Sequence, residues 1–109
     1  MSLSLIVRVE VTGTQAVVVG THSPSPGEEG AEIYYFYVLS RDGQVVLRGD
    51  VRSVLDPVKP EWRGAPHPRP AELADGETVQ ATALGVIQVA DRAGFQTLVW
   101  AQDIPVVPV

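Results

Sequence analysis

The sequence predicts an all-β domain, and three observations lead to that prediction. Apolar residues alternate with polar ones over residues 2–11, which is the two-residue period of a half-buried strand. An aromatic run at 33–39 is followed by Asp42-Gly43, a dipeptide typical of tight hairpin turns. Turn signals separate the other apolar runs, and we find no amphipathic helix. We therefore expect residues 1–109 to form a single domain of six or seven strands, arranged as a sandwich or a small barrel.

The first two strands are predicted at 2–11 and 15–21, with a turn at 12–14 between them. The alternation places one apolar set of the first strand on a common face: Leu3, Leu5, Val7, Val9 and Val11. Residues 22–30, HSPSPGEEG, contain two prolines and two glycines, so we expect a loop there.

The third strand begins a central hairpin that spans Ala31–Val51, with Gln44–Val51 as the return strand. Because Ile33–Leu39 is apolar at every position, three interpretations stay open. The strand is central and covered on both sides, or it belongs to a one-sided sheet whose outer tyrosines keep their hydroxyls in water. In the third interpretation, one aromatic face is exposed as a surface for a partner.

The second half of the chain begins with a proline-rich loop, predicted over 57–74. A long strand follows at 77–90, with one face formed by Val79, Ala81, Ala83, Gly85, Ile87 and Val89. A four-residue loop at 91–94 leads to the last strand at 95–104. We expect Pro105 and Pro108 to close the chain at a sheet edge or terminus.

Composition excludes several classes of partner and site. The net charge of −5 and the presence of only one lysine, Lys59, argue against nucleic acid and anionic membranes. No apolar run approaches the ~20 residues of a membrane helix, and no signal peptide is predicted. The chain has no cysteine, which excludes disulfides and thiol chemistry. The compartment stays open between the cytoplasm and an exported or virion protein.

The order of these features resembles that of fibronectin type III and related immunoglobulin-like domains. Such domains carry an aromatic-rich third strand, and the residues at 34–38, YYFYV, are similar to it. They also carry a leucine, a turn and then a tyrosine six residues after the leucine; here the leucine is Leu73 and the last position is Val79. The tryptophan of the family's second strand is missing at 19–22. The resemblance implies an antiparallel sandwich of six to seven strands, and a fold alone does not define a function.

Six residues are candidates for binding: Trp62, Arg63, His67, Tyr34, Phe36 and Trp100. The first three lie in the proline-rich loop, where an exposed tryptophan would suit a protein contact. The alternative is that Trp62 folds back to cap the core. The other three would form an exposed apolar stripe, although Trp100 is most simply a core residue. We expect His22 and His67 to be solvated loop residues, since neither has a second histidine at metal-ligand spacing.

No catalytic or metal-binding constellation is found in the sequence, and no cofactor is predicted. The tripeptide Arg48-Gly49-Asp50 lies at the end of a predicted strand, so we interpret its match to the integrin-binding motif as chance. The prediction is a non-enzymatic protein-interaction or structural module. It self-associates as a homo-oligomer, or it joins a larger assembly by donating its tail, Ile104–Val109, as a strand. The alternative is a small-molecule-binding barrel or accessory enzyme subunit with the 57–74 loop as a lid.

Overall fold

The structure is a computed structural model that describes residues 6–22, 30–56, 58–88 and 96–109. These residues form strands and turns without a helix, so the predicted all-β class is confirmed. The eight strands are β1 (Ile6–Val11), β2 (Gln15–Thr21), β3 (Glu32–Arg41), β4 (Gln44–Val54), β5 (Glu61–Arg63), β6 (His67–Pro68), β7 (Thr78–Gln88) and β8 (Gln96–Pro108). In these ranges we find no helix long and apolar enough to cross a membrane.

The strands pair in the order β4-β3-β7-β8-β1-β2-β5, and β6 also pairs with β2. All pairings are antiparallel except that of β1 with β8, which is parallel. The result is a mixed, nearly closed sheet with a barrel-like shape. This architecture fits a small barrel as well as it fits the predicted immunoglobulin-like sandwich.

The hairpin of β3 and β4 confirms the turn that the sequence predicts. Asp42 and Gly43 have φ values of 51° and 78°, which is the backbone conformation of a two-residue hairpin turn. A register shift follows at Leu39/Ser40, where Leu39 pairs with Leu47 and Ser40 pairs with Val45. The extra residue turns both Val46 and Leu47 toward the core. The return strand continues to Val54, three residues beyond the predicted end.

A bulge in β1 overturns part of the predicted core face. The register shifts between Ile6 and Arg8, which pair with Gly20 and Val19 respectively. As a result Ile6 is buried together with Val9 and Val11, while Val7 is half-buried. A strict period of two cannot anticipate this, because one inserted residue moves the following side chains to the other face. The predicted core residues Leu3 and Leu5 lie outside the described residues.

The proline-rich segment is more ordered than the predicted loop. Two short strands within it, β5 and β6, both pair with β2. The Arg69 guanidinium donates to the carbonyl oxygens of Leu73 and Thr12 at 2.8 Å each, and it pairs with Asp75 at 2.7 Å. The segment is therefore fastened to the β1–β2 turn. The predicted loop at 91–94 lies outside the described residues.

The last strand is longer than predicted and changes neighbour along its length. Residues 96–105 pair with β7, and Val106–Pro108 pair in parallel with Val9–Val11. The Val109 amide donates to the Val11 carbonyl oxygen at 3.0 Å. The tail that could have donated a strand to another subunit is therefore already paired within its own chain.

Candidate functional site

Strand β3 sorts its aromatic side chains onto two faces. Tyr35 and Tyr37 point inward and are fully buried, whereas Tyr34 is half-buried and Phe36 is 51% exposed. This follows from the alternation of side chains along a strand. The interpretation that β3 is covered on both sides is therefore wrong, and the sheet is one-sided at this strand.

The exposed side of the sheet formed by β4, β3, β7 and β8 is named the outer face. Its centre is a row of three apolar side chains on neighbouring strands, because Phe36 pairs with Leu84 and Leu84 pairs with Val99. Leu84 is 46% exposed and Val99 is 77% exposed. Half-buried Val86 flanks the row on β7. The outer face thus presents a continuous apolar patch across three strands.

Charged side chains of β4 border this patch. Arg48, Asp50 and Arg52 alternate in sign along the outward positions of the strand. The Tyr34 hydroxyl donates a hydrogen bond to Asp50 Oδ2, and this bond raises the pKa of Tyr34 above its ordinary value. The Arg52 guanidinium lies 5.1 Å from the centroid of the Tyr34 ring, within range of a cation–π contact. Phe36 packs edge-on against Tyr34, with ring centroids 4.8 Å apart.

A partly open groove continues the outer face toward the end of β3 that holds Glu32. Its volume is about 460 Å³, and it is lined by Glu32, Ile33, Tyr34, Arg52, Ser53, Val54, Val86 and Gln88. The lining combines an aromatic ring, aliphatic side chains and both signs of charge. Such a groove can receive a side chain from an opposing protein surface.

The inner side of β3 is packed against Trp62, which is only 5% exposed. The indole ring stacks on Tyr35 with centroids 5.6 Å apart and on Tyr37 at 6.4 Å. The Trp62 Nε1 atom is buried and has no hydrogen-bond partner among the described residues. The structure therefore shows the arrangement in which Trp62 caps the core, and it does not place this residue on a surface where a partner could meet it.

Both histidines contact buried tyrosines, which corrects the expectation that they are solvated. His22 is 2% exposed, and its Nδ1 lies 2.6 Å from the Tyr35 hydroxyl oxygen. His67 is half-buried, with Nε2 3.2 Å from the Tyr37 hydroxyl oxygen. No local pattern indicates these two contacts, because they join residues 13 and 30 positions apart.

The Tyr37 hydroxyl fills a tight site between β4 and the segment that links β5 to β6. A Cβ atom at Gly49 would lie 2.5 Å from this hydroxyl oxygen, and one at Gly64 would lie 2.7 Å from it. The absence of a side chain at these two positions therefore makes room for Tyr37. Burial raises the pKa of Tyr37, and the charge of Asp50 adds to the effect.

Arg63 belongs to an ion-pair cluster on the β1–β2–β5 side of the molecule. Its Nη1 lies 2.7 Å from Glu10 Oε1, and Arg8 contacts the other carboxylate oxygen of Glu10 at 2.8 Å. The hydrogen bond from Arg63 is the main cause that lowers the pKa of Glu10. Arg63 is thus engaged within its own chain.

The structure brings together two of the six candidate residues, Tyr34 and Phe36, on the outer face. Trp100 pairs with inward-facing Ala83 and packs half-buried against the core, so the predicted stripe with Tyr34 and Phe36 does not form. Leu84, Val99 and Arg52 were not among the candidates predicted from the sequence. Apolar residues at outward positions were a usable signal, but only the strand register shows that they are neighbours.

Within the described ranges, no group of three or more His, Asp or Glu side chains could hold a metal ion. Comparison with protein-family models, with curated proteins and with solved structures finds no match for this chain.

Proposed function

We propose that this protein is a non-enzymatic interaction module that docks against another protein chain through its outer face. The observation that carries this proposal is the row of Phe36, Leu84 and Val99, which lie in register on three adjacent strands and are 46–77% exposed. A single exposed apolar side chain is ordinary, whereas a contiguous patch bordered by polar groups is typical of protein contact sites.

The shape and the border of the outer face favour a macromolecular partner. The patch lies on an open sheet and the adjoining groove is partly open to solvent, whereas small-molecule sites enclose most of their ligand. Arg48, Asp50 and Arg52 would form the polar rim, which contributes orientation and specificity more than affinity. Tyr34 and Phe36 supply the aromatic area that is enriched in protein interfaces.

In this proposal the sheet is an immunoglobulin-like sandwich of two layers joined by β8. One layer contains β4, β3, β7 and the first part of β8, and the other contains β1, β2 and β5. The strand order and the change of neighbour along β8 support this division. The outer face has the same composition if the sheet is instead a closed barrel, so the docking proposal does not depend on the choice.

Site-specific photocrosslinking tests the docking proposal in cells that produce the protein. A photoreactive phenylalanine analogue replaces Phe36 in one variant and exposed Val58, which lies outside the four strands of the outer face, in the control. We expect a defined protein adduct from position 36 only, and we expect Leu84→Lys in the same chain to remove it. The mass of the adduct shows whether the partner is a second copy or another protein. Equal labelling from both positions, or an adduct that persists with Leu84→Lys, would contradict the proposal.

A further inference from the structure

We propose that β4 pairs edge to edge with β4 of a second copy of this chain, around a two-fold axis at Gly49. In this arrangement Arg48 of each copy lies opposite Asp50 of the other, and the two outer faces join into one surface. The inference concerns a strand edge and not the outer face itself, so it goes beyond the proposed docking function.

The first supporting observation is that β4 is a long strand at the end of the sheet order. It contains 11 residues and, among the described residues, it forms a ladder only with β3. Its inward residues Gly49, Val51 and Ser53 are only half-buried, whereas the inward residues of neighbouring β3 are buried. The free edge therefore exposes backbone donors and acceptors that another strand can pair with.

The second observation is that, apart from the bulge at Val46 and its outward charges, β4 lacks the features that usually protect an edge. It has no proline and no lysine, and its inward positions from Leu47 to Ser53 carry no charge. The edge at the other end of the sheet is different: β5 has three residues, and Pro60 and Pro66 lie on either side of it. Of the two edges of the described sheet, the β4 edge is thus the one suited to accept a further strand of useful length.

The third observation selects a second copy as the occupant, because the charges on β4 are self-complementary. Outward charges alternate as Arg48, Asp50 and Arg52. An antiparallel pair centred on Asp50 would oppose like charges, Asp50 with Asp50 and Arg48 with Arg52. A pair centred on Gly49 opposes Arg48 with Asp50 twice, and it opposes Leu47 with Val51 twice on the inner side.

The lack of an ion-pair partner for Arg48 among the described residues favours Gly49 over Val51 as the position of the two-fold axis. A pair centred on Val51 also opposes unlike charges, Asp50 with Arg52, but it leaves Arg48 opposite Val54. Among the described residues Arg48 makes no ion pair, whereas Arg52 already lies over the Tyr34 ring. Centring on Gly49 gives the unpaired arginine a carboxylate partner.

Sedimentation velocity over a concentration series tests this arrangement with charge-reversal variants. We expect the wild type to dimerise, and we expect Arg48→Asp and Asp50→Arg each to raise the dissociation constant by at least about tenfold. The double variant restores both unlike pairs, so it should regain the dimer. Circular dichroism and thermal melting verify that each variant is folded.

Arg52→Asp is the matched control, because it reverses a charge on the same face of the same strand. In the Gly49-centred pair it leaves the Arg48–Asp50 contacts intact, so the dimer should persist, whereas a Val51-centred pair would be lost. Four outcomes would overturn the proposal. The wild type is monomeric, the Arg48→Asp variant still dimerises, the double variant stays monomeric, or the Arg52→Asp variant loses the dimer. A dimer lost with Leu84→Lys but not with Arg48→Asp would overturn the edge pairing and leave the outer-face proposal standing.

Discussion

The two sides of β3 carry similar side chains and have opposite surroundings. On the inner side, Tyr35 and Tyr37 are buried against Trp62, and their hydroxyls meet His22 and His67. The outer side presents Tyr34 and Phe36, which rest on each other and on charged groups of β4 but remain in contact with solvent. Residue type alone does not distinguish the two sides. An aromatic residue of β3 therefore packs in the core or remains at the surface according to the face of the strand on which it lies.

The largest expected loss of folding stability comes from a change on the inner side of β3. Trp62→Ala should destabilise the fold by about 3–5 kcal/mol, since it removes a large buried ring and leaves a cavity between two tyrosines. Phe36→Ala is the matched change on the outer side and should cost about 0.5 kcal/mol or less. Urea denaturation of the two variants measures the difference. Similar losses for both variants would show that the two sides do not differ in this way.

A smaller loss of folding stability is expected from a change at Gly49, where β4 contacts the inner side chain Tyr37. Gly49→Ala places a methyl group on the Tyr37 ring, at 2.5 Å from its hydroxyl oxygen, and should cost about 1–3 kcal/mol. Tyr37→Phe removes the nearest atom, so the two changes together should cost less than the sum of their separate losses. A double-mutant cycle by urea denaturation measures the coupling. Gly13→Ala is the control, because a Cβ atom at that position has no neighbouring atom within 4 Å. If the losses from Gly49→Ala and Tyr37→Phe were strictly additive, the contact between an added Cβ and Tyr37 would be contradicted.

The pKa values of Tyr34 and Tyr37 also differ in cause between the two sides of β3. The pKa of Tyr37 is raised mainly by burial, whereas that of Tyr34 is raised mainly by its hydrogen bond to Asp50. Asp50→Asn should therefore bring the Tyr34 titration back toward its ordinary value and leave that of Tyr37 raised. Tyrosinate absorbance in the Tyr34→Phe and Tyr37→Phe backgrounds distinguishes the two groups. A Tyr37 titration that returned to its ordinary value with Asp50→Asn would rule out burial as its main cause.

The same titration has a consequence for stability. A tyrosine with a raised pKa in the folded state holds its proton at a pH where the unfolded chain has already lost it, so high pH favours unfolding. The stability associated with Tyr37 is complete below the ordinary tyrosine pKa of 10.0 and is lost as the pH rises through the folded value. Tyr37→Phe should make the alkaline decline of the unfolding free energy shallower, as measured by denaturation at successive pH values.

The smallest effect lies outside both aromatic sets, in the Glu10 cluster. Because the pKa of Glu10 is lowered in the folded state, its contribution is complete above the ordinary value of 4.5 and is lost as the pH falls through the folded value. Arg63→Gln should slightly reduce stability at neutral pH and flatten the acid decline. Denaturation at neutral and acid pH measures both quantities, and an unchanged acid decline would contradict the assignment. Lys59→Gln is the control, because it also removes one positive charge but at an exposed position outside the ion-pair cluster.

Much of the fold could be predicted where local pattern and structure agree. The bounds of β2 match the prediction. In β7 the described residues Val79, Ala81, Ala83 and Ile87 share one face as predicted, and the structure shows that this face is buried. Asp42-Gly43 forms its turn because the required positive φ is a local property of those residues. The bulge in β1 was missed, since an inserted residue depends on the pairing with β2 and leaves no periodic signal.

The candidate site was only partly predictable for the same reason. Tyr34 and Phe36 were identified from their types, but their neighbours Leu84 and Val99 come from strands whose register is a long-range property. Trp62 and His67 lie in a proline-rich stretch that reads as an exposed loop, and their contacts with Tyr37 depend on how that stretch crosses the core. No short-range rule places them.

By itself, the sequence determined the six longer strands, the Asp42-Gly43 turn and the two-residue alternation that divides β3 into two sets of side chains. These features follow from backbone stereochemistry and from the period of the apolar residues, which act over a few positions. Only the tertiary structure decided which set faces the core and which neighbours complete the outer face. It also left β4 at an open edge of the sheet. Those outcomes depend on pairing between strands distant in the chain, and a one-residue shift in that pairing would have exchanged the two faces.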